Sequence, residues 1–298
     1  MSGPPEGYGT RVVFSGESAV TVVHACVRDG RGGSPTAVLD DGPFGEEERR
    51  RVPGAAGASH AVFVAPEGER DGVPAVSLRF FTSEGELPSC GHGTVAALGF
   101  LAARAGADTY RVSLRVGERT FAGRAVLKGP YAEVGFAYGP VELREPDGRE
   151  SALVLPALGL APDPLGPEVR VASVGRPRLL VPVASRSALA ALVPDMERLR
   201  AACDRLGLLG CYVYSAPSPS GRVAARMFAP SIGVPEDIAN ANSTACLAAH
   251  LAGRGVDRIA VDMGDSLGSP ATVVAVTETG PSGPVVRLGG DVLVTRRP

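Results

Sequence analysis

The sequence predicts a mixed α/β (α+β) protein built from two similar halves. Short apolar runs with strand character outnumber the helical segments along the 298-residue chain. Residues 79–103 and 226–252 share one layout: a strand, an acidic turn containing proline, and then an Ala- and Leu-rich helix. A chain of this length holds one large or two medium domains, so we interpret the repeat as an internal duplication.

The composition excludes several classes of function. Hydrophobic residues make up 44% and charged residues 21%, as in an ordinary soluble globular protein. The net charge of -2 provides no basic surface for nucleic acid. The chain has no apolar run of membrane-spanning length, and MSGPPEGYGT lacks the basic and apolar segments of a secretory signal. We therefore expect a cytoplasmic protein that binds neither nucleic acid nor membrane.

The cysteines argue against a disulfide framework. There are five of them, an odd number, and no two have CxxC spacing. This pattern predicts neither a set of disulfides nor a zinc site, and we expect no metal. Four of the cysteines lie in strand-like or helical apolar runs and are expected to be small buried hydrophobes, namely Cys26, Cys203, Cys211 and Cys246. Cys90 alone has a setting that suggests reactivity.

The first half is expected to consist mainly of strands. Residues 1–18 predict an arm or one short extra strand, and residues 45–57 predict a short helix broken by Pro53 and Gly54. The main helix of this half begins at Thr94. The predicted strands, rich in β-branched residues and bounded by turns, are Val20–Val27, Thr36–Leu39, Ser59–Val64, Val76–Phe81, Tyr110–Leu114, Thr120–Val126 and Tyr131–Phe136.

The second half begins after a Pro-rich stretch, residues 139–165, which contains the loop GPVELREPDGRE and is the best candidate for the boundary between the halves. The predicted domains are therefore 1–138, completed by a C-terminal strand at 286–298, and 139–285. Helices are expected over Arg186–Leu206 and Thr244–Ala252. The predicted strands are Val169–Val174, Leu179–Val183, Gly210–Ser215, Val223–Phe228, Arg258–Asp262 and Ala271–Val276, with two more near Val285 and Val292.

The loop PSCGHG, residues 88–93, is the clearest functional signal. It places a thiol, Cys90, and an imidazole, His92, where a loop becomes a helix. The backbone N–H groups of a helix start favour anions, a thiolate among them. Gly91 and Gly93 are expected to let a ligand approach the backbone.

Several motifs together resemble the phenazine-biosynthesis PhzF-like isomerase family, which belongs to the diaminopimelate epimerase and proline racemase fold. They are RFFTSEGELPSCGHGTVAAL, RMFAPSIGVPEDIANANSTACLAAHL and MGDSLGSPATV. The resemblance implies two pseudo-symmetric domains, each a barrel-like sheet around a central helix, with the active site in the cleft between them. It also implies a homodimer that needs no cofactor.

The resemblance assigns three residues to catalysis. The family's general acid/base is a glutamate that follows a serine, and here Ser59 is followed by His60. Histidine can also take and give a proton near neutral pH, so proton transfer remains possible. The family's histidine after glycine corresponds to His92, and the aspartate of its Glu-Asp pair to Asp237. Each also has a structural reading: His60 as a strand histidine, His92 as a turn cap, and Asp237 as a helix cap.

The substrate-binding positions depart from the family pattern. The family's early Asn-Pro is Ser34-Pro35 here. After the aspartate, the family's Ala-Thr-Gly-Ser is replaced by Ala239-Asn240-Ala241-Asn242. We expect Ser34, Asn240 and Asn242 to bind substrate by hydrogen bonds, and the helix start Ala241–Ser243 to bind its carboxylate, as Gly91 and Gly93 do in the first half.

Cys90 matches the first catalytic cysteine of the epimerase and racemase branch, but the second cysteine of that branch has no match near Asn240. Three hypotheses follow. The first is an isomerase that shifts a double bond in a small carboxylate, for example a proline-like cyclic intermediate of antibiotic or other secondary metabolism. The second is an amino-acid racemase or epimerase that uses Cys90 against His60. The third is a ligand-binding homologue without catalytic activity.

Overall fold

The computed structural model describes residues 12–13, 19–161, 168–280 and 283–293. The chain folds into two compact units. Unit 1 comprises the described residues of 1–25, 34–134 and 291–298, and unit 2 comprises those of 26–33 and 135–290. The domain limits at 138–139 and 285–286 stay a prediction. None of the helices in the described ranges is both long and apolar enough to cross a membrane.

Unit 1 is built mainly of strands, as the sequence predicts. Its helices are α1 (Glu46–Ala55) and α2 (Gly91–Ala105). The strands up to the boundary are β1 (Val12–Val13), β2 (Ala19–Val27), β3 (Ser34–Asp40), β4 (His60–Arg70), β5 (Val73–Thr82), β6 (Gly85–Leu87), β7 (Thr109–Val116), β8 (Arg119–Lys128) and β9 (Tyr131–Tyr138).

The sheet of unit 1 combines hairpins with parallel crossovers. β3 pairs with β4 in parallel across helix α1, and β5 pairs with β7 in parallel across helix α2. The pairs β2–β3, β4–β5, β5–β6 and β7–β8 are antiparallel. Helix α2 packs against β3, β4, β7 and β8, and most of its residues are buried. A helix that is apolar on nearly all sides must be enclosed, so α2 is the core helix of this unit.

Unit 2 contains four helices and the remaining strands. The helices are α3 (Gly148–Ala157), α4 (Arg186–Ala190), α5 (Met196–Leu206) and α6 (Ala241–Ala252). The strands are β10 (Glu142–Arg144), β11 (Arg170–Ser173), β12 (Pro177–Val183), β13 (Cys211–Ser215), β14 (Arg222–Ala229), β15 (Val234–Asp237), β16 (Arg258–Met263), β17 (Ala271–Gly280) and β18 (Gly283–Leu293), the last of which ends in unit 1.

The strand pairings of unit 2 repeat those of unit 1 in the same order. β12–β13 and β14–β16 are parallel, as are β3–β4 and β5–β7. β11–β12, β13–β14, β14–β15 and β16–β17 are antiparallel. Helix α6 takes the place of α2 and packs against β10, β11, β12, β16 and β17. The repeated topology agrees with the duplication predicted from residues 79–103 and 226–252.

The main correction to the predicted helices is a break at a proline. The single helix expected over Arg186–Leu206 is two helices, α4 and α5, because Pro194 has no N–H to continue the hydrogen-bond ladder. Asp195 then caps α5 through a 3.0 Å hydrogen bond from the Arg198 N–H. Val193, an apolar residue within the range of the expected helix, is 88% exposed in the break.

Three smaller predictions of secondary structure were wrong. The loop expected at GPVELREPDGRE contains β10 and the start of α3, where Asp147 and Glu150 form a capping box. The two strands expected near Val285 and Val292 are one strand, β18. The expected break of helix α1 does not occur, since Pro53 lies inside it.

Candidate active site

His60 is the first residue of β4, and strand alternation directs its side chain. Ala61 and Phe63 pack in a core that includes Val52 of α1. Successive side chains of a strand point to opposite faces, so His60 lies on the other face, against α2. The ring of His60 accordingly contacts that of His92 in the first turn of α2, with centroids 4.3 Å apart and planes at 87°.

Cys90 is the N-cap residue of α2. Its backbone is extended, with φ of -145° and ψ of 110°, and its sulfur accepts a hydrogen bond from the Gly93 N–H at 3.4 Å. The Thr94 hydroxyl donates to the carbonyl oxygen of Cys90 at 2.9 Å. The cap therefore holds the thiol beside the helix start rather than in solvent.

The two imidazoles and the thiol form one cluster. Cys90 Sγ lies 3.6 Å from His92 Nε2 and 3.8 Å from His92 Nδ1. One nitrogen or sulfur atom from each of His60, Cys90 and His92 lies within 4.8 Å of the other two. The three residues are only 2%, 5% and 2% exposed, respectively. The fold thus brings together three of the four residues expected to be catalytic, from two segments that are well separated in the sequence.

His60 is a neutral imidazole at physiological pH. Burial lowers its pKa well below the ordinary value, and the electrostatic interaction with the neighbouring His92 imidazole lowers it further. Its Nδ1 atom lies 2.8 Å from the hydroxyl of Ser59, which orients the ring. In the tautomer whose Nδ1–H donates to Ser59 Oγ, Nε2 is the basic nitrogen that can accept a proton or bind a ligand.

Two hydroxyl groups on β3 share the sheet face of His60. Thr36 is directly opposite His60 in the parallel register, and Ser34 lies two residues before it. Both are fully buried, and Thr36 Oγ1 donates to the Ser34 carbonyl oxygen at 3.2 Å. Ser34 Oγ has no hydrogen-bond partner within the described part of the chain. Ser34, expected to bind substrate, therefore has a hydroxyl available for hydrogen bonding.

Gly93 is required by the packing of the cluster itself. A Cβ atom at this position would lie 3.0 Å from Cys90 Sγ and 3.0 Å from a ring carbon of Phe80. The space that the missing side chain leaves is therefore occupied by protein atoms. The structure thus gives a different reason for this glycine from the ligand approach expected from the sequence.

The residues expected from the second half meet at the start of α6. Asn240 caps the helix: its Oδ1 accepts from the Ser243 N–H at 2.9 Å, and its Nδ2 donates to Asp237 Oδ2 at 3.0 Å. Asp237, Ala241, Asn242 and Ser243 are all buried. Within unit 2 this arrangement provides a buried carboxylate whose orientation is fixed by an amide.

The profile of the phenazine biosynthesis-like protein family, PhzC-PhzF, matches residues 24–296. The chain belongs to this family. An uncharacterized isomerase from Deinococcus radiodurans is 32% identical over 284 residues, which cover 90% of this chain and 89% of that protein. A trans-2,3-dihydro-3-hydroxyanthranilate isomerase from Pseudomonas fluorescens is 30% identical over 83% of this chain and 85% of its own length.

The fold agrees with this assignment. The crystal structure of a PhzF-family phenazine biosynthesis protein from Bacillus anthracis has a TM-score of 0.76 at 17% identity, with 93% of this chain and 96% of that chain covered. The fold class predicted from the sequence is confirmed, and the protein is an isomerase of the PhzC-PhzF family.

Sequence reasoning missed two residues that shape the PhzF-like site of unit 1. Ser59 was noted only as the residue before His60, yet it is the hydrogen-bond partner of the His60 ring. Thr36 was noted only as the start of a strand, yet it is opposite His60. The adjacent Ser-His pair was the available signal for Ser59. Thr36 had none, because strand register follows from the fold.

Proposed function

We propose that the protein is an isomerase that needs no cofactor and moves a proton on a small carboxylate, shifting a double bond. The contact among His60, Cys90 and His92 is the observation that carries this proposal. It supplies a neutral base and a second imidazole in a buried setting, where proton transfer is protected from water. The family resemblance supports His60 in this role, because the family's glutamate acid/base follows a serine as His60 follows Ser59.

His60 Nε2 takes a proton from a carbon atom of the substrate. The electron pair of that C–H bond forms a new double bond to the neighbouring carbon. The electron pair of the existing double bond then forms a C–H bond at the far carbon, which accepts a proton. His60, or His92 beside it, returns the proton there. No atom is gained or lost, so the product is an isomer, and the Ser59 hydroxyl keeps the His60 ring in position through both transfers.

The substrate carboxylate is assigned to the helix starts. Backbone N–H groups in the first turn of α2, at Gly91, favour an anion, and the Ser34 hydroxyl provides one further polar contact. Asp237 and its partner Asn240 form the corresponding polar set of unit 2. The family resemblance gives Asp237 a role in holding or returning the proton, and we keep that role in the proposal.

The replacement of glutamate by His60 suggests a substrate different from that of the phenazine enzyme. A cyclic, proline-like unsaturated acid of secondary metabolism fits a proton shift next to a carboxylate. The compound named for the Pseudomonas fluorescens relative, trans-2,3-dihydro-3-hydroxyanthranilate, is the reference substrate for comparison. The proposal also keeps a cytoplasmic homodimer, as the resemblance implies.

Epimerisation is the second candidate, since Cys90 lies beside His60. Two bases that act on opposite faces of one carbon must each lie about 3–3.5 Å from it, and so about 6–7 Å from one another. The cluster atoms lie within 4.8 Å. This separation favours transfer on a single face, and therefore isomerisation over two-base epimerisation.

The test is incubation of the full chain in deuterated water with cyclic, proline-like unsaturated acids and, separately, with trans-2,3-dihydro-3-hydroxyanthranilate. We expect a changed ultraviolet spectrum and deuterium at the far carbon of the shifted double bond, measured by NMR. Deuterium at the α-carbon with loss of optical rotation would instead establish the epimerase. Unchanged spectra in wild-type protein with both classes would refute the substrate class proposed here.

A further inference from the structure

The cluster of unit 1 also has the composition of a metal site. His60, Cys90 and His92 offer two imidazole nitrogens and one sulfur, and one donor atom of each lies within 4.8 Å of the others. All three side chains are buried. Among the described residues, these are the His, Cys, Asp and Glu side chains whose donor atoms lie close enough together for three of them to hold one metal ion.

The separation between sulfur and nitrogen matches tetrahedral coordination. Zinc bonds of about 2.3 Å to sulfur and about 2.0–2.1 Å to nitrogen place the two donors roughly 3.6 Å apart at the tetrahedral angle. Cys90 Sγ lies 3.6 Å from His92 Nε2 and 3.8 Å from Nδ1 of the same ring, so the spacing fits but the ring must turn for one nitrogen lone pair to face the ion. The 4.8 Å limit for the whole set exceeds that spacing by about 1 Å, so an ion would draw the three side chains closer together.

The surroundings orient the donors as metal sites require. Metal-binding histidines usually form a hydrogen bond through the nitrogen that does not bind the ion. His60 has such a contact, since Nδ1 lies 2.8 Å from Ser59 Oγ, which leaves Nε2 as the metal-binding nitrogen. The Gly93 N–H donates to Cys90 Sγ at 3.4 Å and supports a thiolate. The backbones of His60 and Cys90 are fixed by a strand start and a helix cap, so only side-chain rotation separates the set from a bound geometry.

We propose that His60, Cys90 and His92 bind one thiophilic transition-metal ion, with Zn²⁺ the best match. Sulfur and imidazole ligands select such ions over Mg²⁺ and Ca²⁺, which prefer oxygen. Three protein ligands leave a fourth position for water or a substrate carboxylate. This site departs from the sequence expectation of no metal. If the proposed function also holds, Zn²⁺ inhibits the enzyme because it occupies the proton-transfer atoms.

Co²⁺ is the probe, because its spectrum reports both the ligands and the geometry. Reduced, metal-free full-length protein is titrated with Co²⁺ and then with Zn²⁺. We expect one ion per chain, a sulfur-to-cobalt charge-transfer band, intense visible bands of tetrahedral cobalt, and displacement of cobalt by Zn²⁺. Cys90→Ser removes the charge-transfer band, and Ser59→Ala weakens binding roughly 10–100-fold.

Matched controls lie outside the cluster. His24→Gln changes a half-buried histidine of β2, and Cys246→Ser changes a buried cysteine of α6, and both should leave the titration unchanged. X-ray absorption of the wild-type zinc complex should show one sulfur and two imidazoles, which requires no variant to fold. Weak octahedral cobalt bands that persist in Cys90→Ser, or a zinc shell without sulfur, would overturn the site. Neither readout depends on isomerase activity.

Discussion

The two core helices begin in the same way and carry different chemistry. In α2 the side chain of Cys90 accepts from the N–H of Gly93, and Thr94 donates back to the Cys90 carbonyl at 2.9 Å. In α6 the side chain of Asn240 accepts from the N–H of Ser243, and the next threonine donates back to the Asn240 carbonyl at 3.0 Å. The duplication thus extends to individual hydrogen bonds.

The groups at these helix starts differ in their ability to accept and donate a proton. The start of α2 presents a thiol and an imidazole, and β4 adds His60. The start of α6 presents the Asn240 amide, with Asp237 held by that amide at 3.0 Å. The comparison teaches that a duplicated backbone motif fixes the position of the side chains, while the residue at the cap decides whether that position is reactive.

A second repeated feature differs in exposure and in its further contacts. Arg79 forms two hydrogen bonds with Glu86 across the β5–β6 hairpin, and Arg226 forms the same pair with Glu236 across β14–β15. The side chains of the first pair are 43% and 41% exposed, and those of the second are 13% and 10% exposed. The second pair is also tied to its surroundings by two backbone carbonyls on the arginine and one serine hydroxyl on the glutamate.

The largest expected effect is on catalysis. His60→Gln keeps a polar side chain of similar size but removes the base, so kcat should fall by about 100- to 10,000-fold. The measurement is the rate with the first acid found to be isomerised. His24→Gln is the matched control and should keep at least half of the wild-type rate, whereas equal loss in both variants would contradict a special role for His60.

The next effect is on stability and compares the two ion pairs. Glu236→Gln leaves the Arg226 guanidinium largely buried without its partner charge, and should cost about 2–4 kcal/mol in the free energy of unfolding. Glu86→Gln should cost less than about 1 kcal/mol because water replaces the lost charge. Urea unfolding of both variants measures the difference, and equal costs would show that exposure does not distinguish the pairs.

The two core helices should also contribute differently to the stability of the protein at acidic pH. His250 of α6 corresponds in the repeat to Phe100 of α2, and its Nε2 is buried with no hydrogen-bond partner among the described residues. Burial first, and then the charges of Arg254 and Arg170, lower its pKa from 6.5 to about 4, while Glu168 acts in the opposite direction. The unfolded chain therefore binds a proton at pH 4–6.5 that the folded protein does not.

This difference makes stability fall as the pH falls from 6.5 toward 4, and adds no pH dependence above that window. The expected loss is about 1–2 kcal/mol, reduced from the full linkage value because the neighbouring arginines are screened by solvent. Thermal unfolding at several pH values measures the slope. His250→Leu should flatten it, and an unchanged slope would assign the acid sensitivity to other groups.

The smallest expected effects are on stability, and they distinguish a residue that caps its helix from one that acts in the proposed chemistry. Asn240→Ala removes the hydrogen bond to the Ser243 N–H and should cost about 1 kcal/mol. Cys90→Ser should change stability by less than about 0.5 kcal/mol, since serine is a preferred N-cap and a thiol is a weak acceptor. Unfolding curves of the two variants give both values. Large destabilisation by Cys90→Ser would mean that the thiol is mainly structural.

The sequence was sufficient for the fold class, whereas the roles of the candidate site residues stay a prediction. Strand patterns and the repeat predicted two similar α/β halves, the loop before the first core helix pointed to Cys90 and His92, and the family resemblance added His60. The contact among the three could not be predicted, since it depends on which face of β4 packs against α2. The roles of Ser59 and Thr36 depend on the same register.

Local rules failed where two of them competed. The apolar pattern of Arg186–Leu206 suited one helix, but Pro194 and the capping residue Asp195 divided it. Pro53 in α1 was expected to break a helix and did not. The spacing of the cysteines predicted no metal site, and that expectation is untested: spacing along the chain does not report the proposed site, whose residues come from β4 and α2.

The most direct test of the central claim follows one hydrogen atom. The substrate is labelled with deuterium at the carbon that loses its proton, and turnover by the full chain is carried out in ordinary water. A buried base that acts on a single face should return part of the label to the far carbon, so mass spectrometry should find deuterium retained in the isomerised product. Complete loss of label, together with inversion at the α-carbon, would contradict the proton transfer proposed for His60 and His92.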